Sequence, residues 1–412
     1  TSDMIMVSSI GASAISSVGV GSAAFNAIIP ALIAVAIGTT AILSRAYGAK
    51  NKEEGQKALM QSYFIAIPIG IFLFFFFAEP IIKIVGNAKD LNLKDAIIYQ
   101  KTTAIGFIFL SIGITTFYAF RALGKNKIPM IGNTMVLVIN IIFNYLFIYV
   151  LKWGVFGAAL ATSIARGSVV IMCVYLIFIS KKQWISFNIK KMKFDYFTAK
   201  RIIKVGIPAA AEQLALRFGM LIFEIMVISL GNLNYAAHKI ALTAESFSFN
   251  LGFAVSLAAT ALVGQELGKN SPKNALKNGY ICTIIGLIIM SSMGLLFFIA
   301  PNLLISLFTD NPQVISLSTM ALRLVSICQP FLAISMILSG ALRGAGATKS
   351  VLFITFFGIF LVRIPITYVF LYIFNMGLAG AWIVMTIDLI FRSSLCFYTF
   401  KKGKWKLERK LY

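Results

Sequence analysis

The sequence predicts an all-α fold: a polytopic membrane protein of twelve transmembrane helices in two six-helix halves. Three observations lead there: the composition, the placement of charge between apolar blocks, and an internal repeat. Of 412 residues, 59% are hydrophobic and only 12% charged, whereas a soluble domain carries about 25% charged residues. Mean hydropathy is +0.88. The apolar runs are continuous and exceed about twenty residues, enough to cross a bilayer as a helix. A β-barrel would instead alternate apolar and polar residues over about ten positions.

Taken in order, the chain opens on "TSDMIMVSSIG", without an initiator methionine. That stub is too short to span and has no signal-peptide pattern before it, so the first helix is expected to be truncated. Apolar blocks then cover about 14–44, 58–85, 96–122, 129–151 and 155–180. A basic, polar linker around 181–200 follows. The remaining blocks are about 202–230, 234–264, 275–308, 314–342, 350–374 and 378–400. This predicts an N-terminal lobe over 1–185, a linker over 186–200, a C-terminal lobe over 201–400 and a basic tail over 401–412.

The formal net charge is +23. In a soluble chain that excess would point to nucleic acid. Here the basic residues stand in alternate short loops: Arg45, Lys50, Lys52 and Lys57; Arg121, Lys125 and Lys127; the 181–200 linker; Lys269 and Lys273; Arg343 and Lys349; and the tail. The other side has only Lys83, Lys89, Lys94 and Lys152. The positive-inside rule accounts for this bias and puts both termini in the cytoplasm of a plasma-membrane protein. No nucleic-acid partner is expected. Cys173, Cys282, Cys328 and Cys396 lie inside apolar blocks without CxxC spacing, which argues against a disulfide framework or a zinc site.

The halves echo each other. "RAYGAKNKEEGQKAL" from Arg45 parallels "QELGKNSPKNAL" from Gln265, "FRALGKNKIP" from Phe120 parallels "LRGAGATKS", and "YLFIYVLKWGVFGAA" from Tyr145 parallels "YVFLYIFNMGLAGAW" from Tyr368. The shift is roughly 220 residues, a six-span unit. Six is even, so both copies enter the membrane from the same side, with sites expected at mid-depth. The Gly- and Lys-rich turns lack Walker spacing and read as helix caps.

Several polar residues interrupt the apolar blocks. Asn140 and Asn144, in "VINIIFNYLFIY", are four apart and share a helix face. An unpaired amide in an apolar medium costs about 2–7 kcal/mol, so both are expected to find partners. Asp3, before "MIMV", is an ionisable group at the inner part of a span, the kind that marks an ion pathway. Aligning Tyr145 with Tyr368 puts Arg363 where the first half has Asn140. A buried guanidinium needs a partner, and Asp388 in the last span is expected to form a static ion pair with it. Glu212, Arg217, Glu224 and Glu245 are further intramembrane charges; for Glu212 and Glu245 both substrate contact and structural pairing stand open. Arg217 and Glu224 are seven apart and share a face. His238 reads as a polar residue at a helix start. Tyr118, Phe247 and Phe249 would suit stacking on a planar cation.

Across essentially its whole length the chain resembles the multidrug and toxic compound extrusion (MATE) family of the MOP flippase superfamily. The residues carrying the resemblance are "DMIMVSSIGASAISSVG", "NYLFIYVLKWGVFGAALATSIAR", "GIPAAAEQLALRFG", "LGNLNYAAHKIALTAESFSF", "ATALVGQELGK", "QPFLAISMILSGALRGAGATKS" and "VRIPITYVFLY". The resemblance implies two lobes forming a V-shaped cavity, a non-enzymatic monomer without cofactors, and export of drug-like, often cationic small molecules against inward H⁺ or Na⁺. It implies a cation or proton site at Asp3, Asn140, Asn144 and Thr162, which would hold Na⁺ if Na⁺ is the coupling ion. Related members carry an acid at the Asn144 position; this chain keeps one carboxylate where they have two. A seventh-helix acid used by some members falls here on Leu216. The substrate-cavity candidates are Glu212, Arg217, Glu245, Tyr118 and Phe247. The rival reading on the same plan is a flippase or exporter of one metabolite or lipid-linked precursor, whose anionic cargo would call for a strongly basic cavity. One histidine and no HExxH argue against an intramembrane enzyme.

Overall fold

A computed structural model describes residues 6–7, 9, 12–85, 93–180, 182–188 and 192–405. Asp3 lies outside the described residues. These residues are helical almost throughout, without strands. In chain order the helices are α1 (Ala12–Gly48), α2 (Lys52–Val85), α3 (Leu93–Ala122), α4 (Lys127–Asn144), α5 (Gly154–Val174), α6 (Tyr196–Ile228), α7 (Asn232–Gly268), α8 (Pro272–Ile299), α9 (Pro301–Ile305), α10 (Pro312–Gly344), α11 (Thr348–Phe357), α12 (Ile364–Tyr368) and α13 (Gly377–Lys402). Among the described residues, nine helical stretches are long and apolar enough to cross a membrane. Large apolar side chains such as Ile171, Ile299 and Leu361 stand exposed on their outer faces, as a lipid-facing surface requires.

The expected single block over 275–308 is two helices. Pro301 has no N–H to continue the ladder, and the residue before a proline is driven from helical geometry; Ala300 accordingly sits at φ −126°, ψ 45°. The next helix starts on Asn311, whose side chain accepts from the backbone N–H groups of Gln313 at 3.0 Å and Val314 at 3.3 Å. Pro312 follows at the first helical position, where no donor is lost.

The repeat is written in the backbone. Lys152 and Asn375 both take positive φ, as do Gly154 and Gly377 two residues on. Each pair is separated by 223 positions, the offset between Tyr145 and Tyr368. The turns before them are π-helical, Tyr145–Val150 and Val369–Ile373. Each is closed by one long-reach bond, Trp153 N–H to Phe147 O at 2.8 Å and Met376 N–H to Phe370 O at 3.0 Å. Lys50 and Asn270 end α1 and α7 in the same left-handed conformation, the usual helix stop.

The chain forms two compact units, Thr1–Gly206 and Ile207–Tyr412. The division falls inside α6 because its first turns belong to the first unit. Ile202 is fully buried in that unit's core, and Arg201 donates to Glu54 at 2.7 Å. The preceding segment lies down on the same unit: Gln61 donates to the Lys193 carbonyl at 2.8 Å, Gln56 to the Ser186 carbonyl, and Trp184 meets Tyr47 edge-on. Asp195 then caps α6, accepting from the Thr198 hydroxyl at 2.6 Å and the Phe197 N–H at 3.2 Å. The Thr198 hydrogen bond holds the Asp195 carboxyl below its ordinary 3.8.

The second unit is built on the α7–α10 seam, where small residues let backbones meet. Thr260 donates to the Gly340 carbonyl at 2.8 Å, Ser256 to Met336 O at 2.7 Å and Ser318 to Ala237 O at 3.2 Å. A Cβ on Gly340 would collide with the Ser256 backbone. Gly340→Val is therefore expected to cost about 1–3 kcal/mol of stability through overpacking, read as a lower melting temperature in detergent. Asp195→Ala is expected to cost about 1 kcal/mol at neutral pH as a lost cap. Because the folded carboxyl titrates below its unfolded value, the wild-type advantage is present above the ordinary aspartate range. It disappears as pH falls through the lowered value. The two proteins should melt alike in strong acid and separate above it.

Candidate functional site

On α4 the two amides face inward while Leu137, Val138, Ile141 and Ile142 face out, all exposed. Asn144 is fully buried and Asn140 nearly so. The Asn144 amide donates to the Asn140 carbonyl oxygen at 3.2 Å, and the Asn140 amide donates to the Thr162 hydroxyl on α5 at 3.1 Å. The helix spacing stacks the first pair, and the α4–α5 hairpin, tightened by the π turn at Tyr145, brings in the third. The first unit thus joins Asn140, Asn144 and Thr162 in one buried ladder. Its amide and hydroxyl oxygens are hard, neutral ligands of the kind that suit a hard cation. Residues 6 and 7 pack at the end of the same hairpin. Tyr149 donates its hydroxyl to the Met6 carbonyl at 3.1 Å, and Val7 is buried with Ile148, Val155 and Ala158.

The second unit puts charge at the corresponding place. Arg363 donates to Asp388 from Nε at 2.9 Å and reaches the same carboxylate through a terminal nitrogen at 2.8 Å. The expected pair is in fact a triad. Arg392, one turn beyond Asp388 on α13, donates from Nε to Oδ1 at 3.0 Å and from a terminal nitrogen to Oδ2 at 2.7 Å. The i, i+4 spacing stacks Arg392 over the acid. Gly358 leaves the room, since a Cβ there would stand 2.7 Å from Asp388 Oδ1. Asp388 is fully buried and Arg363 nearly so.

The remaining candidates separate. Glu212 is buried and held in two-point contact by Arg343, with Nε to Oε2 at 3.2 Å and a terminal nitrogen on Oε1. Glu224 accepts from the Tyr235 hydroxyl at 2.7 Å and pairs with Lys239 rather than with Arg217. Arg217 and Phe247 are exposed, and Glu245 is buried on α7. Tyr118 is a correction. Its ring is 7% exposed and the Arg121 guanidinium sits over it at 5.1 Å, so no open face is left for a planar cation. His238 is a second correction: it is not at a helix start. It is buried six residues into α7, against the rings of Phe223 at 5.8 Å and Trp382 at 5.3 Å.

Sequence reasoning missed Arg392 and Arg343. The first was signalled by Asp388-x-x-x-Arg392. No local signal ties Arg343 to Glu212, which is 131 positions away. Breaking a buried ion pair from one side costs about 3–5 kcal/mol. Asp388→Ala, which strands two guanidiniums, is expected to destabilise by at least that much in a thermal melt. Arg363→Ala should cost less, because Arg392 still answers the carboxylate.

The comparisons bear on this architecture directly. The MatE family model matches residues 1–146 and 208–369, one stretch in each half of the chain. The chain is 32% identical over 404 residues to the "probable multidrug resistance protein NorM" of Thermotoga maritima, covering 95% of this chain and 86% of that protein. It is 26% identical over 413 residues to the "uncharacterized transporter YisQ" of Bacillus subtilis, covering 98% and 90%. A crystal structure of MATE in the bent conformation superposes with a TM-score of 0.93 at 20% identity, covering 100% of this chain and 92% of that one. A MOP superfamily transporter from Pyrococcus furiosus superposes at 0.90 with 21% identity, covering 97% and 90%. A repeat legible in sequence and backbone, a helical membrane architecture and a family match spanning both halves have one reading: the chain belongs to the MatE family and is a multi-pass membrane transporter of the MATE type.

Proposed function

We propose that the protein is a secondary active multidrug exporter, moving small organic and often cationic molecules out across the plasma membrane in exchange for H⁺ or Na⁺. Alternating access requires that ion and substrate bind the two states with different affinity. The coupling site in this reading is Asp3 with Asn140, Asn144 and Thr162. Both termini face the cytoplasm, as the loop charges require.

The observation that carries the reading is the buried Asn144–Asn140–Thr162 ladder, a set of oxygen ligands enclosed within one helical unit. Met6 and Val7, three and four positions past Asp3, pack at the end of the same hairpin, which supports the aspartate as its fourth member. The resemblance to a protein named for multidrug resistance supports the substrate class. In this reading the charge and the proton-accepting oxygen are those of Asp3, and the amides and the hydroxyl add neutral oxygen ligands. Asn144 stands where the family resemblance implies a second acid, and an amide there leaves the site one negative charge poorer. That weakens cation binding and suits a single-ion exchange.

The test is efflux of ethidium from proteoliposomes under separate pH and Na⁺ gradients. Wild type should respond to one gradient. Asp3→Asn should abolish that response while ethidium still binds. Thr162→Val, which removes one ligand hydroxyl worth about 1.4 kcal/mol, should weaken the ion dependence about tenfold. Export indifferent to both gradients overturns the proposal.

A further inference from the structure

Arg323 on α10 is exposed, and among the described residues nothing accepts from its guanidinium. It stands eleven positions past Pro312, the first residue of that helix. α10 has 33 residues, about 50 Å of helix against a hydrocarbon core of about 30 Å. A helix centred in the bilayer puts Arg323 about 6 Å inside the hydrocarbon boundary, at the end away from Arg343. That end is opposite the basic loops, so the positive-inside rule does not account for the residue. An arginine at this depth is costly unless it snorkels or meets an anion, and it is a functional candidate.

Arg323 lines a cavity of about 560 Å³ between α9 and α10. Ser316, Thr319 and Arg323 line it together from α10; their helical spacing gives them one face. Side chains on a helix lean toward its N-terminus, which carries the guanidinium toward Ser316 and the outer end. Asn302 forms the facing wall from α9. Its Oδ1 accepts from the Thr319 hydroxyl at 2.6 Å, which leaves its amide nitrogen as a donor. Among the described residues neither that nitrogen nor the exposed Ser316 hydroxyl has an acceptor. Pro312, Ile315 and Met320 complete the lining, and no acid belongs to it. The nearest acid in sequence, Asp310, lies in the turn before Pro312.

Three unanswered donor groups in one cavity call for an oxyanion, and the planar fork of arginine matches the paired oxygens of a phosphate. The surroundings say which phosphate. Ile327, one turn past Arg323 toward the middle of the bilayer, is exposed, and so is Leu303 beside Asn302. A soluble anion would leave these apolar side chains as they are, whereas an acyl chain covers them. Basic pockets between transmembrane helices take anionic lipid headgroups in this way. A zwitterionic lipid would also bring a quaternary or primary ammonium, for which the lining holds no carboxylate. We propose that this cavity binds an anionic phospholipid of the outer leaflet. Its phosphate sits on Arg323, Ser316 and Asn302 donate to its headgroup oxygens, and its chains run over Ile327. The site is independent of the antiporter reading above.

Site-resolved photolabelling tests this. Full-length protein in phosphatidylcholine vesicles receives a trace of phosphatidylglycerol carrying a diazirine near its headgroup, and the labelled peptides are mapped after illumination. Label should fall between Asn302 and Ile327 and be displaced by unlabelled phosphatidylglycerol. Arg323→Gln should need about tenfold more probe for the same labelling of that segment. Arg323→Lys, which keeps the charge and loses the fork, should fall between the two. Wild-type labelling in Arg323→Gln overturns the proposal, and so does equal labelling of the segment by the matching phosphatidylcholine probe. Displacement by inorganic phosphate as readily as by phosphatidylglycerol assigns the cavity to a free anion and overturns it as well. Should Arg323→Gln not fold, Ser316→Ala decides: reduced labelling supports the site, and unchanged labelling overturns it.

Discussion

Inside a bilayer a polar side chain cannot turn to water, so its partner must come from its own bundle. That constraint organises both units of this transporter. In a soluble protein Asn140 and Asn144 would be unremarkable on an exposed face. Here each unmet amide carries a penalty of several kcal/mol, and the α4–α5 hairpin meets it with Thr162. The same logic places serines and threonines along the α7–α10 seam, where their hydroxyls bond the facing carbonyls. With little hydrophobic drive between helices in lipid, such contacts and close backbone packing hold the bundle together.

The two units solve the constraint with different chemistry on one backbone plan. The π turns, the left-handed residues after them and the long-reach bond that closes each hairpin recur at a constant offset. On that shared frame the first unit presents neutral oxygens and the second a guanidinium. A guanidinium cannot be left alone, so Asp388 follows from Arg363. One carboxylate between two guanidiniums leaves the group one charge from neutrality. The duplication thus fixes geometry while the side chains divide the labour.

Much of this was legible in the residues. Hydropathy located the membrane-crossing blocks because lipid demands continuous apolar runs. The repeat showed because its turns need special backbone conformations, so "VLKWG" and "IFNMG" keep their spacing. Asn140 and Asn144 declared their common face through helical periodicity, and Arg363 named a need for an acid. What misled was position within an element. His238 looked like a helix start because it stands close to the boundary of the expected 234–264 span, yet α7 begins at Asn232 and leaves it buried. Tyr118 looked like a free aromatic; Arg121, three residues on, covers it.

Sequence alone determined the class, the span pattern, the duplication and which polar residues needed an answer, because these follow from local periodicity and from the cost of polarity in lipid. Asp388 could be named for Arg363 from the sequence, but most of the other partners were decided by the tertiary structure alone. Arg343 reaches Glu212 and Gln329 reaches Ser248 across helices far apart in the chain, and Thr162 reaches Asn140 across the α4–α5 hairpin. Those choices depend on helix rotation and close packing at small residues, and neither is encoded within any single helix.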